Sequence, residues 1–168
     1  VAYRGGLPGE GWDNSEKVEV DGSSSGGAAT FKGDKGTAGV SDGVAKISHP
    51  EGKALGELKK VERKSPTMGK KPPERAVVLF DGKDVTAITD PKKFVDGLMS
   101  QGITSKQKFG DFSLHLEFLL SYMPVGRGQG RANSGCYMQG RYEVQILDSF
   151  GLSGEHNECG GIYTIAKP

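Results

Sequence analysis

The stretch Asn133-Ser134-Gly135-Cys136-Tyr137-Met138-Gln139-Gly140-Arg141-Tyr142-Glu143-Val144-Gln145-Ile146-Leu147-Asp148 decides how the chain is read. Its two parities differ in chemistry, and a β-strand sends alternate residues to opposite faces. The even set, Cys136, Met138, Tyr142, Val144 and Ile146, is apolar and is expected against a core. The odd set, Tyr137, Gln139, Arg141, Glu143 and Gln145, forms a row of hydrogen-bonding groups. The solvated outer face of an antiparallel sheet alternates in the same way. Residue type points instead to a ligand surface, because solvent faces favour Thr, Lys and Ser, whereas these groups read hydroxyls in pairs.

The alternation breaks at Leu147, an apolar residue on the polar parity just before Asp148. One extra residue between Gln145 and Asp148, a β-bulge, would return Asp148 to the face of Glu143 and Gln145. Glu143, Gln145 and Asp148 would then stand in a line. Two carboxylates flanking a sugar bond are the usual equipment for glycoside cleavage, one as acid and the other as base or nucleophile.

Composition narrows the classes of partner. The 168 residues suffice for one domain with an extension. With 22 basic against 21 acidic side chains there is no global field to draw in nucleic acid, so none is expected as a partner. The 27 glycines and 8 prolines lack a Gly-X-Y period, which excludes collagen and implies turns between short strands. No apolar run reaches the roughly 18 residues of a membrane span, and the N-terminus shows no basic-then-apolar targeting pattern. Cys136 and Cys159 have neither zinc nor redox spacing, and Cys136, on the apolar parity, is expected as a small buried hydrophobe. No metal and no cofactor is expected.

Along the chain, residues 1–36 are dense in glycine and are expected to bend rather than pack. Segments 37–40 and 44–47 flank Ser41-Asp42-Gly43, a hairpin signal, and 55–61 is a further strand candidate. A basic, proline-rich linker follows through Lys70-Lys71-Pro72-Pro73, and with no aromatic residue interleaved it reads as solvated chain rather than a nucleic-acid patch. A domain boundary is expected near residue 75, dividing an extension, 1–75, from a globular part, 76–168. Ala76-Val77-Val78-Leu79-Phe80 reads as a buried strand closed by a turn at Asp81-Gly82. Phe112, Leu114, Leu116 and Phe118 alternate with Ser113, His115 and Glu117, a second half-buried strand whose polar face is expected to join the first. His115 alone is a weak catalytic candidate. Residues 90–99 can hold a short helical turn. Gly126-Arg127-Gly128-Gln129-Gly130-Arg131 matches no nucleotide fingerprint and reads as a loop whose arginines can close over a ligand, and Glu155 to Cys159 as a polar turn.

Residues 77–82, 105–112, 133–149 and Cys159-Gly160-Gly161-Ile162-Tyr163 together resemble the 3-keto-disaccharide hydrolase domain family, over about 76–168. The linker before them is similar to that of planctomycete members. The resemblance implies an all-β fold, a concanavalin/laminin-G-like jelly roll of two antiparallel sheets, in proteins exported to the periplasm or cell surface. It implies a glycan or oxidised disaccharide as partner. A 3-keto group acidifies the C2 proton, so cleavage can proceed by proton abstraction and elimination, which needs a base and a stabiliser for the enolate oxygen. Carried onto this chain, Glu143 or Asp148 would be base or acid, and Gln145, grouped with them at the catalytic site, would hold the keto sugar together with Arg141. Tyr137, Gln139, Arg141, His115 and Glu117 would bind the sugar. Cys136 stands where such sequences have an aliphatic residue. The family's domain also runs on past Ile162-Tyr163, so an incomplete jelly roll is expected, finished by further chain or by a second chain. A lectin-like glycan-binding module and a structural assembly protein are the alternatives, because fold alone does not decide function.

Overall fold

A computed structural model describes residues 1–4, 11–13 and 15–168; Gly5, Gly6 and Gly9 of the glycine-dense segment lie outside the described residues. The chain is all-β, its strands pair antiparallel throughout, and the helical content among the described residues is two single 3-10 turns, Pro91–Lys93 and Gly128–Gly130. This class of structure is consistent with a β-sandwich. The chain divides into two compact units, Val1–Lys64 with Phe150–Ser153, and Ser65–Ser149 with Gly154–Pro168.

In the first unit, β1 (Ala2–Tyr3) pairs with β2 (Lys17–Val18). A five-stranded meander follows: β3 (Gly22–Ser25), β4 (Ala28–Gly33), β5 (Gly36–Ser41), β6 (Val44–Ser48) and β7 (Ala54–Lys59), in that spatial order. The expected hairpin at Asp42-Gly43 is the β5–β6 turn, and both residues have the positive φ that a tight two-residue hairpin needs, 50° and 74°. Register sets Phe31, Ala38 and Ile47 side by side on one face, and Thr30, Gly39, Lys46 and Glu57 on the other. Residues 22–36, expected to bend rather than pack, instead build β3, β4 and the start of β5. Gly26 and Gly27 turn the first of these hairpins at φ 58° and 82°, and the Phe31 ring occupies the space that a side chain at Gly22 would need. Glycine here serves turns and close approach inside a regular sheet.

In the second unit, the 3-10 turn at Pro91–Lys93 leads into a minimal hairpin of β8 (Phe94–Val95) and β9 (Leu98–Met99). Only that single turn of the helical reading for 90–99 is present, because Asp96 and Gly97, both at positive φ, reverse the chain. The Phe80 and Phe94 rings meet edge to face at 5.5 Å. The larger hairpin is β10 (Asn133–Met138) and β11 (Tyr142–Leu147). Its far edge is lined by the segment around Ile162, through a Val144–Ile162 bridge. The best buried apolar side chains are Ile88, Ala132, Ile146 and Leu147.

Two expected strands do not form. Residues 76–80 carry no strand, and Val77 and Val78 are about half exposed, at 54% and 50%. Residues 112–118 carry none either. Phe112, Leu114, Leu116 and Phe118 are 44–48% exposed. A two-residue period becomes a strand only where a neighbour completes the backbone ladder, and no described backbone hydrogen bond ties 112–118 to another segment.

Candidate functional site

The decisive stretch is a hairpin rather than one strand. Gln139 and Gly140 turn it with φ 56° and 63°, and Arg141 N donates to Met138 O at 3.0 Å. Three residues separate the paired Met138 and Tyr142, an odd number, so the numbering parity is the same on both strands and the two faces keep their membership. One face carries Tyr137 opposite Glu143 and Gly135 opposite Gln145; the other carries Met138 opposite Tyr142 and Cys136 opposite Val144. Gln139 and Arg141 leave the polar row. They sit exposed at the hairpin tip, where the Arg141 guanidinium stacks 5.5 Å from the Tyr142 ring centroid.

The β10–β11 register runs to Asn133–Leu147 without a shift, and Asp148 N continues it by donating to Ala132 O at 2.9 Å. No bulge returns Asp148 to the parity of Glu143 and Gln145. Asp148 instead faces Arg131, whose Nη1 donates to its backbone oxygen at 3.3 Å and lies 3.9 Å from its carboxylate. The apolar residue at 147 has a different cause. Leu147 is 1% exposed and Gln145 2%, so this end of the polar parity is the most buried part of the hairpin. The chain's own loops meet it there: the Gln145 side chain bonds to Gln129 and Asn157, while along the strand edge Gln145 N donates to Gly161 O and Gly160 N to Gln145 O, both at 2.9 Å. On the apolar parity of the two strands only Ile146 is buried, while Tyr142 is exposed.

An amide cluster surrounds Gln145. Its Nε2 donates to Gln129 Oε1 and to Asn157 O, each at 3.2 Å, while Gln129 Nε2 donates to Asn157 O at 2.8 Å and Asn133 Nδ2 to Gln129 Oε1 at 3.1 Å. The backbone carbonyl of Asn157 accepts from both glutamines and so fixes which end of each amide carries nitrogen. The Gln145 side-chain oxygen, Oε1, is buried without a partner. The glycine-rich loop thus delivers Gln129, a residue that the sequence reading passed over, while Arg127 bonds back to Pro124 O and Gly126 O of its own loop. Glu158, 7% exposed, accepts from Gly154 N and Glu155 N at 2.9 and 3.0 Å and shapes the covering loop.

Towards the open end of the same face lies the chemistry. Tyr137 donates its phenolic hydrogen to Glu143 Oε2 at 2.8 Å. The Glu143 side chain lies over Gly135, where a Cβ would collide with its carboxylate. On the other edge of β11, Tyr163 N donates to Glu143 O at 2.9 Å, and the Val144–Ile162 bridge sets Tyr163 beside Glu143. Tyr137, Glu143 and Tyr163 therefore form a row across β10, β11 and the turn segment bridged to β11. The hydrogen bond to Glu143, then partial burial and the neighbouring charges, hold the Tyr137 phenol above its ordinary value. Tyr163 is a second residue that sequence reading missed; the signal was the Gly-Gly-Ile-Tyr alternation, too short to assign a face.

Residues 75–168, more than half of the chain, match the model of a 3-keto-alpha-glucoside-1,2-lyase-like domain. The chain belongs to this family. Comparison with curated proteins and with solved structures finds no match. All of the Tyr137–Glu143–Tyr163 row and the amide cluster of this lyase-like domain fall within the matched residues.

His115 and Glu117 do not join that row. They bond to each other, Nε2 to Oε1 at 3.1 Å, and Glu117 also accepts from Gly69 N. The His115 contact first, then the Gly69 amide, hold the Glu117 carboxyl below its ordinary value. Both cysteines are free thiols, and burial pushes that of half-buried Cys136 up. Among the described residues no His, Cys, Asp and Glu group is arranged to hold a metal ion.

Proposed function

We propose that the lyase-like domain cleaves 3-keto-glycosides by proton abstraction at C2 followed by loss of the C1 oxygen, with Glu143 as the base. The observation that carries this reading is a half-buried carboxylate held at 2.8 Å by an exposed phenol, on a sheet face where a neighbouring glycine leaves room for it. A keto group lowers the barrier to removing the neighbouring proton, so one placed carboxylate suffices for that step. The arrangement favours one carboxylate over the two-carboxylate hydrolytic scheme, because Asp148 lies off the parity of Glu143 and beside Arg131. Gln145 and its amide partners hold the floor beneath the sugar, and Asp148 positions the hairpin end through Arg131. Gln139 and Arg141 form a rim at the hairpin tip. His115 and Glu117, bonded to each other and to the 65–71 linker, have no hydrogen bond to the hairpin among the described residues and take no part in the step.

In this proposal residues 76–168 are the carbohydrate-active part and 1–75 an extension, and the protein works at the cell surface or in the periplasm. No helix of the described residues is long and apolar enough to cross a membrane. Incubation with 3-keto-trehalose or 3-keto-lactose beside the unoxidised sugars tests the reaction. An unsaturated keto sugar and free glucose should appear from the oxidised substrates alone, and Glu143→Gln should slow their release about 10²- to 10⁴-fold. Binding of both sugar forms without product would replace the enzyme with a glycan-binding module.

A further inference from the structure

Expelling a sugar oxygen from C1 needs a proton donor as well as a base, since a sugar alkoxide is a stronger base than tyrosinate. Asp148 does not share the Glu143 parity, and the register places a phenol directly opposite Glu143 instead. From this geometry we infer that Tyr137 is the general acid of the reaction, and that the 2.8 Å bond to Glu143 is the path by which the proton returns. The inference rests on the function proposed above.

The steps balance without any co-reactant. The Glu143 carboxylate takes the C2 hydrogen as a proton, and the C–H electron pair becomes an enolate with its charge on the C3 oxygen. Re-formation of the C3 carbonyl drives that pair into a C1–C2 double bond and breaks the bond from C1 to the leaving oxygen. That oxygen takes the Tyr137 phenolic proton. The tyrosinate then recovers a proton from the Glu143 carboxylic acid across the existing hydrogen bond, and both groups are restored. The coupling has the right sign. In the resting state the charged carboxylate holds the phenolic hydrogen and makes the phenol a weaker acid. Once Glu143 is protonated that hold is gone, so Tyr137 becomes a better donor in the step that uses it. Tyr137 is also 60% exposed, which leaves its hydroxyl open to a bound sugar.

The test compares the whole chain with Tyr137→Phe on two substrates, 3-keto-lactose and 4-nitrophenyl 3-keto-glucoside, whose nitrophenolate leaves without a proton. Tyr137→Phe should lose about 100-fold or more on the disaccharide and less than about 10-fold on the aryl glycoside. It should also keep exchange of the C2 hydrogen with deuterated water, which Glu143→Gln should abolish. Equal losses on both substrates would make Tyr137 a positioning residue and overturn the inference, as would full activity on 3-keto-lactose. In either case the proposed function would stand on the wild-type activity. Wild-type protein that cleaves neither substrate overturns both.

Discussion

The Glu143 carboxylate occupies the space that a side chain at Gly135 would fill, although the two residues are not directly opposed in the ladder. Gly135 has no positive φ, so its backbone tolerates alanine, and what glycine supplies here is room. The clash falls on the Glu143 side chain from Cγ outward and not on backbone, so that side chain must swing aside as a whole. Gly135→Ala is therefore expected to change stability by about 1 kcal/mol or less. It should lower turnover of a 3-keto-disaccharide about 100-fold, because a displacement of about 1 Å at a reacting group carries that cost. Thermal unfolding and steady-state kinetics on the same preparation check both halves; a large loss of stability, or none of activity, would show that Glu143 is not held where it acts.

The amide cluster makes an unequal prediction for its two glutamines. Removing Gln145 leaves Gln129 Oε1 with Asn133 and Asn157 O with Gln129, and it deletes the unpartnered buried carbonyl oxygen. Gln145→Leu should accordingly be near neutral, within about 1 kcal/mol. Gln129→Ala takes away one of the two acceptors of Gln145 Nε2 and the donor that braces Asn157 O, and should cost about 1–3 kcal/mol. Urea denaturation of the two variants ranks them, and the reverse order would mean that the cluster is not built as described.

Tyr137 should ionise later than a free tyrosine, above the ordinary value of about 10. The sign for stability follows from a folded-state value raised above the unfolded one. The contribution is present below the unfolded value and is lost as pH rises through the folded one. At neutral pH the phenol is protonated and the hydrogen bond is made. Difference absorbance of the phenolate between pH 9 and 12 should contain a late-titrating tyrosine that reverts to ordinary behaviour in Glu143→Gln. A wild-type titration identical to that of the variant would break the link between the two groups.

How far the sequence carried this picture depends on whether a feature is local or needs a partner. The turn at Asp42-Gly43 was legible because two residues at positive φ are a local requirement. The face shared by Tyr137, Glu143 and Gln145 was legible because a side-chain period of two survives a hairpin whose loop has three residues. The apolar alternation of Phe112 to Phe118 was equally plain, yet it forms no strand, since a ladder takes its other half from elsewhere in the chain. Leu147 was legible as an irregularity but not as a cause: a bulge and a covering loop leave the same mark on the pattern.

The sequence by itself determined the all-β class, the two parities of 133–148 and the family to which the chain belongs. Tertiary structure decided which of those groups meet. It joined Gln129 to Asn157 and brought both onto Gln145, bound Asn133 to Gln129, set Tyr163 beside Glu143 and sent Asp148 to Arg131. These pairings join residues up to 28 positions apart, Gln129 and Asn157 being the widest. They depend on how loops close over a strand edge, and the periodicity of a single segment contains no term for that closure.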